Sequence, residues 1–180
     1  MKSGSRILAF DDSSFKNGKS FVVGVVGRSH VIEGILSFYV DVDGSDATAR
    51  LLKSISASRF LQQIRLVATN GITFAGLNLV DIGMAEKALG VPFIALTRKR
   101  PRKGLLRKAI LNRPMHGSRL RLFDRLSKEI RVHKNGPFYV QHIGADMDDV
   151  RPMLDTAESL LRLAHIIASG VARGESRGRI

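Results

Sequence analysis

Apolar runs separated by short polar segments predict three strands at the start of the chain. The apolar runs cover residues 7–10, 20–26 and 31–42, and short polar segments separate them. The first of these segments contains Asn17-Gly18, a dipeptide that is typical of tight β-hairpins. Because consecutive strands with short connections pair antiparallel, the pattern predicts a three-strand antiparallel meander.

Helical and strand-like patterns alternate along the rest of the chain. Apolar residues recur at intervals of three and four, which predicts helices at residues 46–58, 79–89, 105–111, 120–130 and 155–171. Short apolar runs predict further strands at residues 64–69, 92–96 and 138–143. A strand, a helix and a second strand at this spacing are typical of a parallel crossover unit.

This order of elements predicts the fold class and the domain organisation. An antiparallel three-strand meander followed by parallel strands, with helices on its faces, is the layout of a ribonuclease H-like mixed sheet in the α/β class. In that layout, acidic residues at the ends of the first and fourth strands come together. We expect a single domain over residues 1–172, followed by a polar tail at residues 173–180.

Composition limits the chemistry and the compartment. The 180 residues include no cysteine, which excludes cysteine-ligated zinc, thiol nucleophiles and disulfide scaffolds. Any metal site must therefore use carboxylates, histidines and water. The longest apolar runs are shorter than the roughly 18 residues of a spanning helix, and Met1-Lys2-Ser3 leads into a strand pattern rather than a signal peptide. We therefore predict a cytoplasmic protein without a membrane partner.

Positive charge is concentrated in one part of the chain. The formal net charge is +13, and residues 98–134 contain 14 Lys or Arg residues against two acidic residues. The other 143 residues contain 15 basic and 14 acidic residues, so they are nearly neutral. A basic segment of this kind is typical of binding to phosphate backbones, and we predict nucleic acid as the partner. The alternatives are a solvated basic face and a surface that docks a protein partner. The residues predicted to contact nucleic acid are Arg98, Lys99, Arg100, Arg102, Lys103, Arg107, Lys108 and Arg113.

Carboxylates follow two of the predicted strands. Asp11 and Asp12 end the first strand, and Asp41 and Asp43, which share one strand face, follow the third. Paired carboxylates at a strand end suit Mg²⁺ or Mn²⁺, which prefer oxygen ligands. The alternatives are a solvated turn for the first pair and a negatively charged helix N-terminus for the second. The histidines lack metal-ligand spacing, and His165 is expected to have a structural or surface role in the last helix.

Three stretches of the sequence resemble a known protein family. They are Phe-Asp-Asp-Ser-Ser-Phe at residues 10–15, Thr-Asn-Gly-Ile-Thr-Phe-Ala-Gly at residues 69–76, and Arg-Leu-Ala-His-Ile-Ile-Ala-Ser at residues 162–169. Over nearly its whole length the chain resembles the archaeal family known as domain of unknown function 99. That family is similar to endonuclease V, a metal-dependent enzyme that nicks nucleic acid near deaminated purines. The resemblance implies the ribonuclease H-like fold and a Mg²⁺- or Mn²⁺-dependent phosphodiesterase that acts on DNA or RNA.

The resemblance also implies a set of catalytic residues. Asp11 matches the first-strand metal aspartate of endonuclease V. Val40 stands where that enzyme has a glutamate ligand, and Asp41 follows one residue later. Asn70 stands where the enzyme has an aspartate, and Arg98 stands where it has a lysine.

The last metal ligand is implied to come from the loop after the final strand. Either Asp146 or Asp148 is the counterpart of the final aspartate, so the implied metal ligands are Asp11 together with Asp146 or Asp148. The strand-separating Pro-Tyr-Ile-Pro of endonuclease V is replaced by Val-Ile-Glu-Gly at residues 31–34. These departures leave an alternative, which is a non-catalytic nucleic-acid-binding protein of the same fold or an adaptor for a protein partner.

Overall fold

A computed structural model describes residues 4–29, 31–114 and 116–176, and these contain nine strands and six α-helices. The strands are β1 (Arg6–Asp12), β2 (Lys19–Arg28), β3 (Val31–Asp41), β4 (Ile64–Asn70), β5 (Thr73–Phe74), β6 (Asn78–Leu79), β7 (Phe93–Thr97), β8 (Arg131–Asn135) and β9 (Phe138–His142). The helices are α1 (Ala47–Ser56), α2 (Ile82–Leu89), α3 (Lys103–Leu111), α4 (Gly117–Glu129), α5 (Met147–Val150) and α6 (Leu154–Arg173). Short 3-10 turns lie at Leu61–Gln63 and Arg151–Met153.

Seven of the strands form one mixed sheet in the order β3-β2-β1-β4-β7-β9-β8. β1, β2 and β3 form the predicted antiparallel meander, and β4 and β7 continue the sheet parallel to β1. β5 and β6 form a separate two-stranded hairpin. The predicted mixed α/β sheet, with helices on its faces, is thus confirmed.

Both faces of the sheet are covered, and β1 is buried between the two layers. Ile7 packs on the side of α6, whereas Leu8 and Phe10 pack on the side of α1 to α4. These three side chains are at most 1% exposed. A strand that is buried on both faces has a continuous apolar run instead of an alternating one. The same alternation directs Asp11 and Asp12, where β1 ends, to opposite faces of the sheet.

The basic segment contains a strand that the sequence analysis does not predict. β8 pairs antiparallel with β9, and β9 runs antiparallel to β7, so the prediction of parallel strands after the meander is wrong for the far edge of the sheet. Gly136 turns the chain between them with a φ of 56°. Most side chains of β8 are exposed and show no apolar pattern, so the pattern of apolar residues does not reveal this strand. The sequence signal that could have revealed it is the hairpin dipeptide Asn135-Gly136.

Local capping explains the shorter helix in the crossover unit. The helix predicted at residues 79–89 begins later because the Asp81 side chain caps α2 and accepts a hydrogen bond from the Met84 backbone N–H at 3.0 Å. The residues before the cap pair as β5 and β6. A side-chain cap and a short hairpin therefore replace the first turn of the predicted helix.

The last helix is longer than predicted and ends at a glycine. α6 continues to Arg173, and Gly174 takes the left-handed conformation with a φ of 84°. Residues 177–180 of the predicted tail, and residues 1–3 of the predicted domain, lie outside the described residues. Within the described ranges, no helix combines the length and apolar character needed to cross a membrane.

Candidate functional site

Two polar side chains meet where the parallel strands β1 and β4 end. Phe10 of β1 is in register with Thr69 of β4, so the next residues, Asp11 and Asn70, are neighbours. Asn70 Nδ2 donates a hydrogen bond to Asp11 Oδ2 at 3.2 Å. Asp11 is only 4% exposed, so its carboxylate is held in a nearly buried position.

Helix α6 adds an imidazole to this pair. His165 Nδ1 lies 3.1 Å from Asp11 Oδ2. The hydrogen bond to Asp11 raises the pKa of His165 above its usual value, although partial burial of the ring acts in the opposite direction. The raised pKa favours the imidazolium form, and the contact is an ion pair when the imidazole is protonated. The sequence signal for this residue is the spacing of Glu158, Arg162 and His165, which puts three polar side chains on one face of a helix.

These groups line a cavity of about 320 Å³ whose wall also contains two arginines. Arg98 follows the end of β7, and Arg162 lies on α6. Arg98 Nη2 pairs with Glu158 Oε1 at 3.3 Å, and its guanidinium carbon lies 5.8 Å from the centre of the Phe138 ring. Cations beside a buried carboxylate suit a ligand that is itself anionic, such as a phosphate group.

A second cavity of about 190 Å³ adjoins the first, because Thr97 lines both. Its apolar walls are Ile72, Leu106, Phe123 and Ile130. Its polar lining residues are Thr73, Thr97, Ser127 and Gln141, together with the cations Arg102 and Lys103. The Ser127 Oγ is buried without a hydrogen-bond partner among the described residues. A pocket with apolar walls and a few polar groups suits a small planar ring.

Asp12 points away from the first cavity. Its Oδ2 accepts hydrogen bonds from the Ala75 backbone N–H at 2.8 Å and from the Ser20 hydroxyl at 3.3 Å. Burial raises the pKa of Asp12, and the Ala75 hydrogen bond partly offsets this effect. Asp12 therefore ties the turn between β5 and β6 to the end of β1.

The acidic residues that follow β3 do not reach Asp11. Asp11 and Ser37 of β3 pair with the same residue of β2, so they lie in line across the sheet. Asp41 is four residues further along β3. Asp41 is exposed and pairs with Lys19 at 3.1 Å. Val40, at the position of the implied glutamate, is buried in the opposite core. The structure thus places Asp41 outside the cavity.

Two other implied elements also lie away from Asp11. Asp146 is the N-cap of α5, and its Oδ1 accepts a hydrogen bond from the Asp148 backbone N–H at 2.9 Å. The Asp148 side chain is 93% exposed, and neither residue lines the cavity. Residues 31–34 begin β3, at the end of the sheet opposite to Asp11. Asp146 caps a short helix and does not line the cavity. His165 is the third polar residue of the site, beside Asp11 and Asn70.

Four of the eight predicted nucleic-acid contacts are exposed and have no ion pair within the described part of the chain. They are Lys99, Arg100, Arg102 and Lys108. The other four are engaged by neighbours. Arg98 pairs with Glu158, Arg107 pairs with Asp124, Arg113 pairs with Asp43, and Lys103 donates to the Ser127 carbonyl.

Helix α4 uses its cations to dock on the rest of the chain. Arg125 pairs with Asp81 and with Glu129, and Arg119 donates to the Asp43 carbonyl. Asp43 also accepts a hydrogen bond from a backbone N–H of the loop after β5. Exposed cations of the basic segment that lack an ion pair among the described residues therefore lie in two groups. One group is before and along α3, and the other is on α4 and β8, at Arg121, Lys128, Arg131 and Lys134.

Residues 3–172 match the family described as endonuclease dU. The chain belongs to the endonuclease dU family. A relative in this family is the UPF0215 protein of Methanothermobacter thermautotrophicus, which is 38% identical over 99% of this chain and 93% of its own length.

Solved structures extend the comparison. A protein of unknown function from Archaeoglobus fulgidus has a TM-score of 0.82 and 29% identity, covering 92% of this chain and 97% of its own. The catalytic domain of human endonuclease V has a TM-score of 0.56 at 11% identity, covering 95% and 83% of the two chains. Endonuclease V of Ciona intestinalis, in complex with DNA containing an inosine followed by a ribo-adenosine, has a TM-score of 0.53 at 9% identity, covering 92% and 86%. Both endonuclease V structures show the fold alone, and they confirm the similarity to endonuclease V.

The side chains around Asp11 decide which ion this endonuclease dU family chain can hold. Within the described residues, no three His, Cys, Asp or Glu side chains converge on one point. The donors at the cavity are the Asp11 carboxylate, the Asn70 amide oxygen and the His165 imidazole. One carboxylate, one amide and one imidazole fit a single divalent ion, and the imidazole favours Mn²⁺ over Mg²⁺. Because His165 must be neutral to bind a metal, we expect binding to strengthen as the pH rises.

Replacing Asp11 by Asn should lower the pKa of His165, because the substitution removes the charged acceptor that raises it. NMR titration of the imidazole resonances in wild type and Asp11→Asn measures this change. Asp148→Asn is the control, since it removes an exposed carboxylate outside the cavity and should leave the titration of His165 unchanged. Equal His165 pKa values in wild type and Asp11→Asn would contradict the contact.

Proposed function

We propose that this chain is an endonuclease that cuts DNA at or near deoxyuridine, with the cavity around Asp11 as its active site. The observation that carries the proposal is the meeting of Asp11, Asn70 and His165 beside two arginines, in a chain of the endonuclease dU family. The family description supports deoxyuridine as the target. The fold shared with endonuclease V supports phosphodiester cleavage as the reaction.

Each polar side chain of the cavity has a chemical role in this proposal. Asp11, Asn70 and His165 would hold one divalent ion, which acts as a Lewis acid on the scissile phosphate. Arg98 and Arg162 offer guanidinium N–H groups to the oxygens of that phosphate. Glu158 keeps the flexible Arg98 side chain directed along the cavity wall through their ion pair.

The second cavity supports the recognition of a single base next to the cut. Enzymes that act at a particular base hold it in a pocket with apolar walls and read its edge with polar groups. The walls here include Ile72 and Phe123. The polar groups include the Gln141 amide and the Ser127 Oγ, which has no hydrogen-bond partner among the described residues. An amide both donates and accepts hydrogen bonds, as the edge of uracil requires.

A non-catalytic nucleic-acid-binding protein of the same fold is the second candidate function. It is favoured by the small number of carboxylates at the cavity, which are Asp11 and Glu158, and by the pairing of Glu158 with Arg98. Asp11 is then the carboxylate of the cavity wall that has no arginine partner among the described residues, and one carboxylate holds a divalent ion weakly, because charge is the main attraction for hard cations. The exposed cations before and along α3 would remain available for phosphate binding.

Cleavage of defined oligonucleotides tests the proposed activity. With Mn²⁺, wild type should cut a strand with one deoxyuridine and spare the matched strand with thymidine, and an inosine strand measures the breadth of base recognition. Asp11→Asn should abolish cleavage, and Asp148→Asn, in which an exposed aspartate is changed, should retain it. Binding of the deoxyuridine strand without cleavage under any metal would establish the non-catalytic alternative.

Binding should be electrostatic and should weaken steeply with salt. About six phosphate contacts would lower the affinity roughly a thousandfold between 50 and 200 mM salt, and each lost contact would reduce the log-log slope by about 0.9. Replacing Lys99, Arg100 and Arg102 by Ala should therefore flatten the slope, as measured by fluorescence anisotropy. The matched control replaces Lys53, Arg59 and Arg65, which are three exposed cations near the opposite end of β4. Equal slopes for the two triple variants would contradict this interface.

Asn70→Asp should strengthen divalent metal binding. An added negative charge about 4 Å from the ion contributes about 2 kcal/mol even at the dielectric constant of water, and this corresponds to more than a tenfold gain in affinity. Calorimetric titration with Mn²⁺ compares wild type, Asn70→Asp and the control Asn112→Asp, which makes the same change at an exposed position at the end of α3. Equal affinities for wild type and Asn70→Asp would show that residue 70 is not a ligand.

A further inference from the structure

Strand β3 forms one edge of the seven-stranded sheet and is eleven residues long. Its inner side pairs with β2 along the whole strand. Among the described residues, no other strand pairs with its outer side. The outward backbone N–H and C=O groups of such an edge are complementary to the backbone of another strand.

The side chains of β3 are unusually apolar for an edge strand. Four of them are more than half exposed, and these are Val31, Ile32, Ile35 and Tyr39. No other strand or helix in the described ranges has more than two exposed large apolar side chains. Natural sheets protect long edges with lysines, prolines or β-bulges. β3 contains no lysine or proline, and the one register shift in its pairing with β2 lies near its start, between Ile32 and Gly34, so residues 34–41 pair regularly. α1 packs on one face of β3, whereas α6 packs mainly on β1 and β2, so the other face of β3 is open.

The charged side chains of β3 are neutralised within the chain. Glu33 pairs with Arg6 and with Arg28, and its side chain is only 14% exposed. Asp41 pairs with Lys19 at 3.1 Å. The outer edge therefore offers neither a free cation for a phosphate backbone nor a free anion that would repel a second copy of the same strand.

We propose that β3 pairs antiparallel with β3 of a second copy of this chain and joins two sheets across a twofold axis. A twofold interface brings the same surface patch together with itself, so the patch must be self-complementary. An unpaired strand edge meets this requirement, because one antiparallel strand supplies the backbone donors and acceptors that the other lacks. The four exposed apolar side chains of each copy are buried together in such a pair. Paired charges at Glu33 and Asp41 remove the repulsion that self-association would otherwise cause.

The middle of β3 would lie closest to the twofold axis. When a strand pairs antiparallel with its own copy, residues near the centre lie beside the centre of the other copy. The start of each strand lies beside the end of the other. Ile35 and Ser37 lie near the centre of Val31–Asp41 and have exposed side chains. Substitutions at these two positions therefore test the interface directly.

Sedimentation measurements on the full chain give the first test. Wild type should sediment with twice its mass of 19.8 kDa and dissociate on dilution. Ile35→Lys should be monomeric with an unchanged circular dichroism spectrum, because it puts like charges next to the twofold axis. Leu105→Lys is the matched control, since it changes an equally exposed apolar residue of α3 and should remain dimeric. Tyr39→Glu replaces Ile35→Lys if that variant does not fold.

A cysteine cross-link gives a second test that does not depend on a destabilising substitution. The chain has no cysteine, so Ser37→Cys introduces a unique thiol. A short bis-maleimide should link two copies of Ser37→Cys efficiently and should fail to link Asp148→Cys, whose position is exposed and distant from β3. A monomeric wild type at every concentration would overturn the proposal. Equal cross-linking of the two cysteine variants would also overturn it.

Discussion

Burial of β1 on both of its faces is the constraint on which the candidate site depends. The strand contributes side chains in alternation to two separate cores, one beneath α6 and one beneath α1 to α4. Where β1 leaves these cores, its last two residues, Asp11 and Asp12, must point in opposite directions. Asp11 then faces Asn70 and His165, whereas Asp12 binds the backbone of Ala75. Two adjacent aspartates therefore have separate tasks, one in the cavity and one in holding a loop.

The cavity differs from a cluster of carboxylates in how its charge is balanced. Converging carboxylates repel one another and need a cation for a stable arrangement. Here Glu158 is balanced by Arg98, and Asp11 is bound by the Asn70 amide and by His165, which carries a positive charge when it is protonated, so the protein itself compensates both carboxylates. Arg162 is left as a net positive charge at the wall. The fold can therefore form without a metal ion and still attract an anionic ligand.

The sequence predicts the elements more completely than the site, for physical reasons. Strands with buried faces and helices with one apolar face have a periodicity that local patterns reveal, and these elements are correct within a few residues. β8 is missed because an exposed edge strand has no such periodicity. The resemblance implies a catalytic role for Asp41, but the position of Asp41 depends on the register of three strands, which no local pattern encodes. His165 lies far from Asp11 in the chain, and only the docking of α6 brings the two together.

That docking has a consequence for the order in which the site forms. Asp11 and Asn70 lie in the first half of the chain, and His165 belongs to the last helix of the described residues. A domain folds as a unit, and synthesis delivers its N-terminal elements first. The face of the sheet that α6 covers therefore stays open, and the cavity lacks its imidazole, until α6 has been synthesised. A chain that ends before α6 would lack the helix that covers this face, so it would expose apolar side chains that chaperones and proteases recognise, and its cavity would be incomplete.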